Sequence, residues 1–191
     1  MRAAALLLSV PVTIGLARVP RPVLDNGLAR TPPMGWNSWN HFGCDVRLEV
    51  GNGGMTDDEY RAHLSLWAIM AAPLIAGNDV RTMSAATRDL LTNTEVIAVD
   101  QDSLGIQGTL VSERTQELQV WMKPLKDGSR AVVLLNRSAL QTVISASWWR
   151  LRISGPARVR DLWSHTDLGT FTDRFSATVP AHGVVMVRVT P

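Results

Sequence analysis

The sequence predicts two kinds of structure in series: an α/β segment to about residue 107, then an all-β antiparallel sandwich over residues 108–191. Three observations predict it. From Trp36 to Leu91, short apolar runs alternate with stretches of three- and four-residue apolar spacing, so strand, helix, strand and helix follow one another. From Gly108 onward the texture changes to short β-branched or aromatic runs. Turns rich in Gly, Pro, Asp and Ser, such as Lys126-Asp127-Gly128, divide those runs at the spacing of a sandwich.

Taken in order, Val19 to Pro33 is rich in Pro, Gly and Asn and reads as an extended lead-in. Met34 to Phe42 carries Trp36, Trp39 and Phe42 among polar residues and fits a strand running into a loop; Gly51 to Gly54 is a flexible loop. Thr56 opens a helix, because its hydroxyl can cap the first turn while Glu59 reaches back. Asp57, Asp58 and Glu59 place negative charge at the positive end of the helix dipole. Tyr60, Leu64, Trp67, Ala68 and Ala71 form its apolar stripe, and Pro73 ends it. Leu74 to Ala76 fits a buried strand bounded by Gly77 and Asn78. Ser84 caps a second helix to about Leu91, stopped by Thr92-Asn93. The sandwich strands are expected at Leu118–Met122, Ala131–Asn136, Thr142–Ala146, Val159–Trp163, Phe175–Val179 and Val184–Val189.

Composition narrows the class. Apolar residues make up 46% and charged residues 19%, the balance of a globular chain rather than a disordered one. The net charge is +2 and no basic cluster is interleaved with aromatics, which argues against a nucleic-acid partner. Seven Trp stand against one Tyr; most Trp serve packing, and some present an indole face to a sugar ring. Met1-Arg2, the apolar run Ala3–Leu16, and small residues Gly15 and Ala17 read as a signal peptide over residues 1–17, so the mature chain is expected to start near Arg18 and to be secreted. No later stretch approaches the ~20 apolar residues of a membrane anchor. The single cysteine, Cys44, is either a buried small hydrophobe or half of a disulfide. His41, His63, His165 and His182 lack metal-ligand spacing, and neither a phosphate loop nor a nucleophilic Ser or Cys motif occurs, so neither metal nor cofactor is expected.

Long motifs carry a resemblance. Leu24-Asp25-Asn26-Gly27-Leu28-Ala29 and Thr31-Pro32-Pro33-Met34-Gly35-Trp36-Asn37-Ser38-Trp39-Asn40 resemble the opening of the α-galactosidases of glycoside hydrolase family 27. Leu48-Glu49-Val50-Gly51-Asn52-Gly53-Gly54-Met55-Thr56, Glu59-Tyr60-Arg61 and Leu66-Trp67-Ala68 resemble that family's approach to its last barrel strand. Ala72-Pro73-Leu74, Asn78-Asp79-Val80-Arg81, Glu95-Val96-Ile97-Ala98-Val99 and Gln101-Asp102-Ser103-Leu104-Gly105 continue the match. Val120-Trp121, Ala131-Val132-Val133-Leu134 and Arg160-Asp161-Leu162-Trp163 resemble its C-terminal domain.

The resemblance implies a (β/α)₈ barrel followed by an antiparallel β-domain. Such a barrel needs ~250 residues, and only about 85 separate Asp25 from the sandwich. Residues 18–107 are therefore expected to be a remnant holding the first and last barrel units, with a seam at Val46-Arg47. Two strands cannot close a barrel, so Trp39, Leu64, Trp67 and Leu74 are expected to be partly exposed or to lean on the sandwich. That half is expected to be loosely packed and to associate with itself through its apolar face.

By resemblance the ancestral reaction is hydrolysis of terminal α-linked galactose with retention, on α-galactosyl saccharides; α-N-acetylgalactosaminidase and β-L-arabinopyranosidase activities are the alternatives within the family. A different alternative is a non-catalytic sandwich fragment with weak or no carbohydrate binding. Retention needs two carboxyl groups about 5–5.5 Å apart, and the family's nucleophile and acid/base motifs are both missing. Asp79, just past the last strand, is the remaining carboxylate nearest a barrel site, with a turn or cap role as the rival reading. Asp100 and Asp102 are assigned to the connection into the sandwich. Trp39 matches the family's apolar wall of the galactose pocket, while Trp36 is assigned to packing. Cys44 matches a cysteine that pairs beyond the second strand, a partner this chain lacks.

Overall fold

The computed structural model describes the backbone of residues 34–36 and all of residues 50–191. The first strand, β1 (Met34–Trp36), pairs in parallel with β2 (Leu74–Ala76), in the register Met34 with Leu74 and Trp36 with Ala76. Between them runs α1 (Asp57–Ile69). Its start follows the expected chemistry: Thr56 Oγ1 accepts from Glu59 N at 3.3 Å, and Thr56 N donates to Glu59 Oε2 at 2.7 Å. The helix ends at Ile69, four residues before Pro73, and Ala71 turns the chain at φ +52°.

Asn93 does more than stop a helix. The second helix, α2 (Ala85–Leu91), ends at Thr92, and Asn93 then caps a third, α3 (Thr94–Asp100), accepting from Glu95 N and Val96 N at 3.0 Å each. Its side-chain carbonyl supplies the acceptor that the first turn of α3 lacks, while its backbone N donates back to Leu90 O of α2. Asp100 accordingly lies in the last turn of a helix rather than in a loop connection.

The β-rich region contains eight strands and one helical turn: β3 (Thr109–Thr115), β4 (Leu118–Pro124), β5 (Arg130–Asn136), β6 (Thr142–Ser147), α4 (Trp148–Leu151), β7 (Ala157–Asp161), β8 (Thr166–Phe171), β9 (Arg174–Val179) and β10 (Val184–Thr190). They form a six-stranded sheet, β3-β4-β5-β10-β7-β8, and a two-stranded sheet, β6-β9. All of these pairings are antiparallel. Sequence pattern misses β3 and β8, the two edges of the large sheet; both are mostly exposed and register shifts interrupt them, so neither shows clean apolar alternation. The strand expected over 159–163 ends at Asp161, whose carboxylate accepts from Trp163 N and Ser164 N and turns the chain.

Strand β5 explains the packing. It is buried along nearly its whole length, because the large sheet is covered on both faces. Val132 and Leu134 join Ile144, Ala146, Trp148, Phe175 and Val179 between the two sheets. Ala131, Val133 and Leu135 point the other way, into a core shared with Tyr60, Leu64, Ile69, Val96 and Val99 of α1 and α3. Leu64 and Leu74 are 2% and 6% exposed, and Trp67 is partly buried against the same core. The helices thus lean on the sheet, and their apolar stripe is closed rather than loose.

Candidate functional site

A barrel carries its chemistry past the C-terminal ends of its strands, and the described residues place Gly77-Asn78-Asp79-Val80-Arg81 there, directly after β2. Asp79 is the carboxylate of this segment. Its Oδ1 accepts from Arg81 N and Nε at 2.9 Å each, and its Oδ2 accepts from Arg81 Nη2 at 2.7 Å. The Arg81 side chain, followed by the Arg81 backbone N–H, holds the Asp79 carboxyl down at about 2. A carboxylate in this state has no proton to give near neutral pH. Its lone pairs are engaged by a bidentate guanidinium, so it is also a blunted nucleophile. No second carboxylate joins its hydrogen-bond network among the described residues.

Four other described carboxylates, Asp58, Glu59, Asp100 and Asp102, are held by contacts within the fold. Glu59 closes the capping box, and Asp58 lies 3.6 Å from Arg61 on the same helix. Asp102 accepts from Leu104 N and from Lys126 N, which makes it a turn residue joining α3 to the β4–β5 hairpin. Asp100 is buried; its Oδ2 accepts from Gln101 Nε2 at 2.6 Å, and burial pushes its carboxyl up to about 6.

Beside Asp100 sits a residue that sequence reasoning missed. Lys123 of β4 is fully buried on the helix face of the sheet. Its Nζ donates to Val99 O at 2.7 Å, Asp100 O at 3.2 Å and Ala68 O at 3.4 Å. Val99 and Asp100 end α3, where backbone carbonyls lack helical partners, so one ammonium satisfies them and reaches α1 as well. Burial lowers the Lys123 pKa, and the Asp100 charge opposes that shift. The signal available in sequence was a Lys in a strand whose neighbours Trp121 and Leu125 face the same core.

The described histidines lie apart from one another: His63 packs on Trp67 with ring centroids 5.5 Å apart, His165 Nδ1 lies 2.8 Å from Glu95 Oε1, and His182 N donates to Ser138 O. No His, Cys, Asp and Glu cluster able to hold a metal occurs among the described residues. Glu95 also accepts two hydrogen bonds from Arg160, at 2.8 and 3.0 Å, and these lower its pKa. Arg61 lies over the Trp163 ring, whose Nε1 donates to Ser65 Oγ. A cleft of about 410 Å³ opens here, lined by Asp57, Arg61, Asp89, Trp163 and His165. It lies at the junction of α1 and α2 with the β7–β8 turn. Trp39, Cys44, His41, the seam and residues 1–17 lie outside the described residues.

Comparison with known proteins joins these parts. Residues 45–102 match the family model described as alpha galactosidase A, and residues 115–189 match the alpha galactosidase C-terminal beta sandwich domain. The chain belongs to the α-galactosidases of glycoside hydrolase family 27. It is 44% identical to the α-galactosidase of Oryza sativa subsp. japonica over 169 residues, which is 87% of this chain and 39% of the rice protein. The α-galactosidase of Cyamopsis tetragonoloba is also 44% identical, over 83% of this chain and 38% of its own length. In structure, the chain resembles α-galactosidase I from Mortierella vinacea with a TM-score of 0.72 and 36% identity, covering 75% of this chain and 38% of that one. A β-L-arabinopyranosidase from Geobacillus stearothermophilus gives a TM-score of 0.68 at 32% identity, over 72% of this chain and 31% of its own. The chain spans about two fifths of the length of the plant relatives. A helical barrel remnant packed against an antiparallel sandwich is the corresponding part of the family's architecture.

Proposed function

We propose that this chain is a catalytically silent member of the α-galactosidase family, exported through residues 1–17. Its ancestral reaction is hydrolysis of terminal α-linked galactose by double displacement, and this chain has lost it. The observation that carries the reading is Asp79: the carboxylate after β2 is locked in the fork of Arg81 and, among the described residues, has no carboxyl partner in its network. Double displacement asks one carboxylate to attack and another carboxylic acid to protonate the leaving oxygen. A single guanidinium-bound carboxylate does neither. The family's nucleophile and acid/base motifs do not occur in the sequence, which supports the same reading.

The purified full chain is expected to leave an aryl α-galactoside at the background rate. Turnover at a thousandth of a typical enzyme's ~10 s⁻¹, abolished by Asp79→Ala, would overturn the reading by revealing a substitute site.

A further inference from the structure

Among the tryptophans whose side chains the structure describes, Trp149 stands apart. Trp121, Trp148 and Trp163 each donate their Nε1 to a protein oxygen at 3.0 Å, and Trp67 packs against His63. Trp149 is 72% exposed, and among the described residues its Nε1 meets no acceptor. It is nevertheless held in place. It is the second residue of α4, and its neighbours Trp148 and Leu151 are buried in the core between the sheets. The Arg150 guanidinium lies 4.5 Å from the Trp149 ring centroid, and its Nη1 donates to Val111 O of edge strand β3 at 3.1 Å. One face of the indole is therefore backed by a fixed cation, and the ring is presented to solvent.

The ring borders a groove of about 550 Å³ in which Ile106 and Leu110 supply exposed apolar surface, Gln107 supplies a neutral polar group, and Arg150 and Arg152 supply charge. Among the described residues no Asp or Glu lines it. Arg152 is exposed and forms no ion pair among the described residues. Its backbone is set at φ +55°, which ends α4 beside the groove.

We propose that this groove is a binding site for an acidic saccharide, a uronate-bearing pyranoside, with the sugar ring on the Trp149 indole and the carboxylate on Arg152. A pyranose ring has an apolar face of C–H groups whose partial positive charge suits the electron-rich indole face. A guanidinium offers two parallel N–H donors that match a carboxylate and discriminate it from a hydroxyl. The groove alternates apolar and polar groups, as sugar surfaces do, and its uncompensated positive charge selects the acidic member of that class. The site lies on the sandwich, so its occupancy does not depend on whether the barrel remnant retains catalysis.

The full chain is titrated with trigalacturonate and with a neutral galactose trisaccharide at low salt, using saturation-transfer NMR and calorimetry. Trigalacturonate is expected to bind with a dissociation constant on the order of 1 mM and the neutral sugar about tenfold more weakly. Trp149→Ala should abolish both signals. Arg152→Gln should weaken the acidic sugar about tenfold and leave the neutral one unchanged. Both residues are exposed, and Arg152→Gln keeps the test decisive if Trp149→Ala melts early. Equal binding of the two sugars, or binding indifferent to both substitutions, would overturn the proposal. So would light scattering that shows a dimer made monomeric by Trp149→Ala, because a second copy of the chain would then be the occupant.

Discussion

The two faces of the six-stranded sheet are both buried, yet they are closed by different means. Toward β6 and β9 the contact is mostly apolar, with Val132, Leu134, Val187 and Val189 meeting Ile144, Phe175 and Val179, and its buried polar link is Asn136 at the end of β5, whose Nδ2 donates to Val179 O and Pro180 O. Toward α1 and α3 the apolar contact is threaded with directional hydrogen bonds. Lys123 reaches three helix-end carbonyls, Asn93 Nδ2 donates to Leu162 O, Trp163 Nε1 donates to Ser65 Oγ, and Arg160 grips Glu95. The helices belong to the part that matches the α-galactosidase A model and the sheet to the part that matches the C-terminal domain, so this face is a seam between family modules. Apolar surfaces alone fix how much area is covered and leave the helices free to slide; buried polar groups fix the angle and register at which they sit.

The largest way to break the comparison is to remove one cover. A chain beginning at Gly105 loses α1 and α3 and exposes Ala131, Val133, Leu135, Leu162 and Met186. At about 25 cal/mol per Å² of apolar area, losing that contact is worth several kcal/mol. The thermal midpoint should drop by about 10 °C or more while the unfolding signal stays β-type. A midpoint equal to that of the full chain would mean that the sheet needs no helices.

A smaller effect isolates the polar thread. Lys123→Met keeps the side-chain length and removes the donor, leaving Val99 O and Asp100 O buried without their partner. Each unpaired buried group costs about 1–3 kcal/mol, so urea unfolding should show a loss of about 2–4 kcal/mol. The same experiment on Val132→Ala tests the apolar face; if Lys123→Met proved harmless, the seam would be held by shape alone.

The smallest effect is in pH. The Asp100 carboxyl is pushed up to about 6 by burial, against about 3.9 in an unfolded chain. The folded state therefore holds this proton more tightly, so the contribution to stability is largest below pH ~4, falls as pH rises to ~6, and is flat beyond. Carboxyls held down in the fold, such as those of Glu95 and Asp127, change stability below that window and in the opposite direction. Urea midpoints of the full chain at pH 4.5 and pH 7 should differ accordingly, and Asp100→Asn should shrink the difference. A slope unaltered by Asp100→Asn would place the titrating group elsewhere.

The family was legible in the linear sequence because its motifs are contiguous, and so was each element whose signal is local. Thr56 and Glu59 close their capping box through three residues of chain, and β4, β5 and β10 carry dense apolar runs. The missing pair of catalytic motifs and the suspicion about Asp79 were legible for the same reason. Local patterns could not show that Asn93 opens a second helix as well as closing the first, nor that β3 and β8 are strands, because edge strands need no apolar face. They allowed the turn role that Asp79 takes, through Arg81 N, but showed neither the guanidinium that closes on it nor what Lys123 is doing. Arg81 follows Asp79 by two residues, but only the folded turn brings the guanidinium onto the carboxylate. Lys123 reads as an ordinary strand lysine until β4 is placed under the ends of α1 and α3, 55 and 24 residues away in the chain. Sequence alone determined which elements form, since caps, turns and apolar periods act within a few residues. Tertiary structure alone decided how they close on one another, since the energy of a buried charge depends on partners that only folding brings within 3 Å.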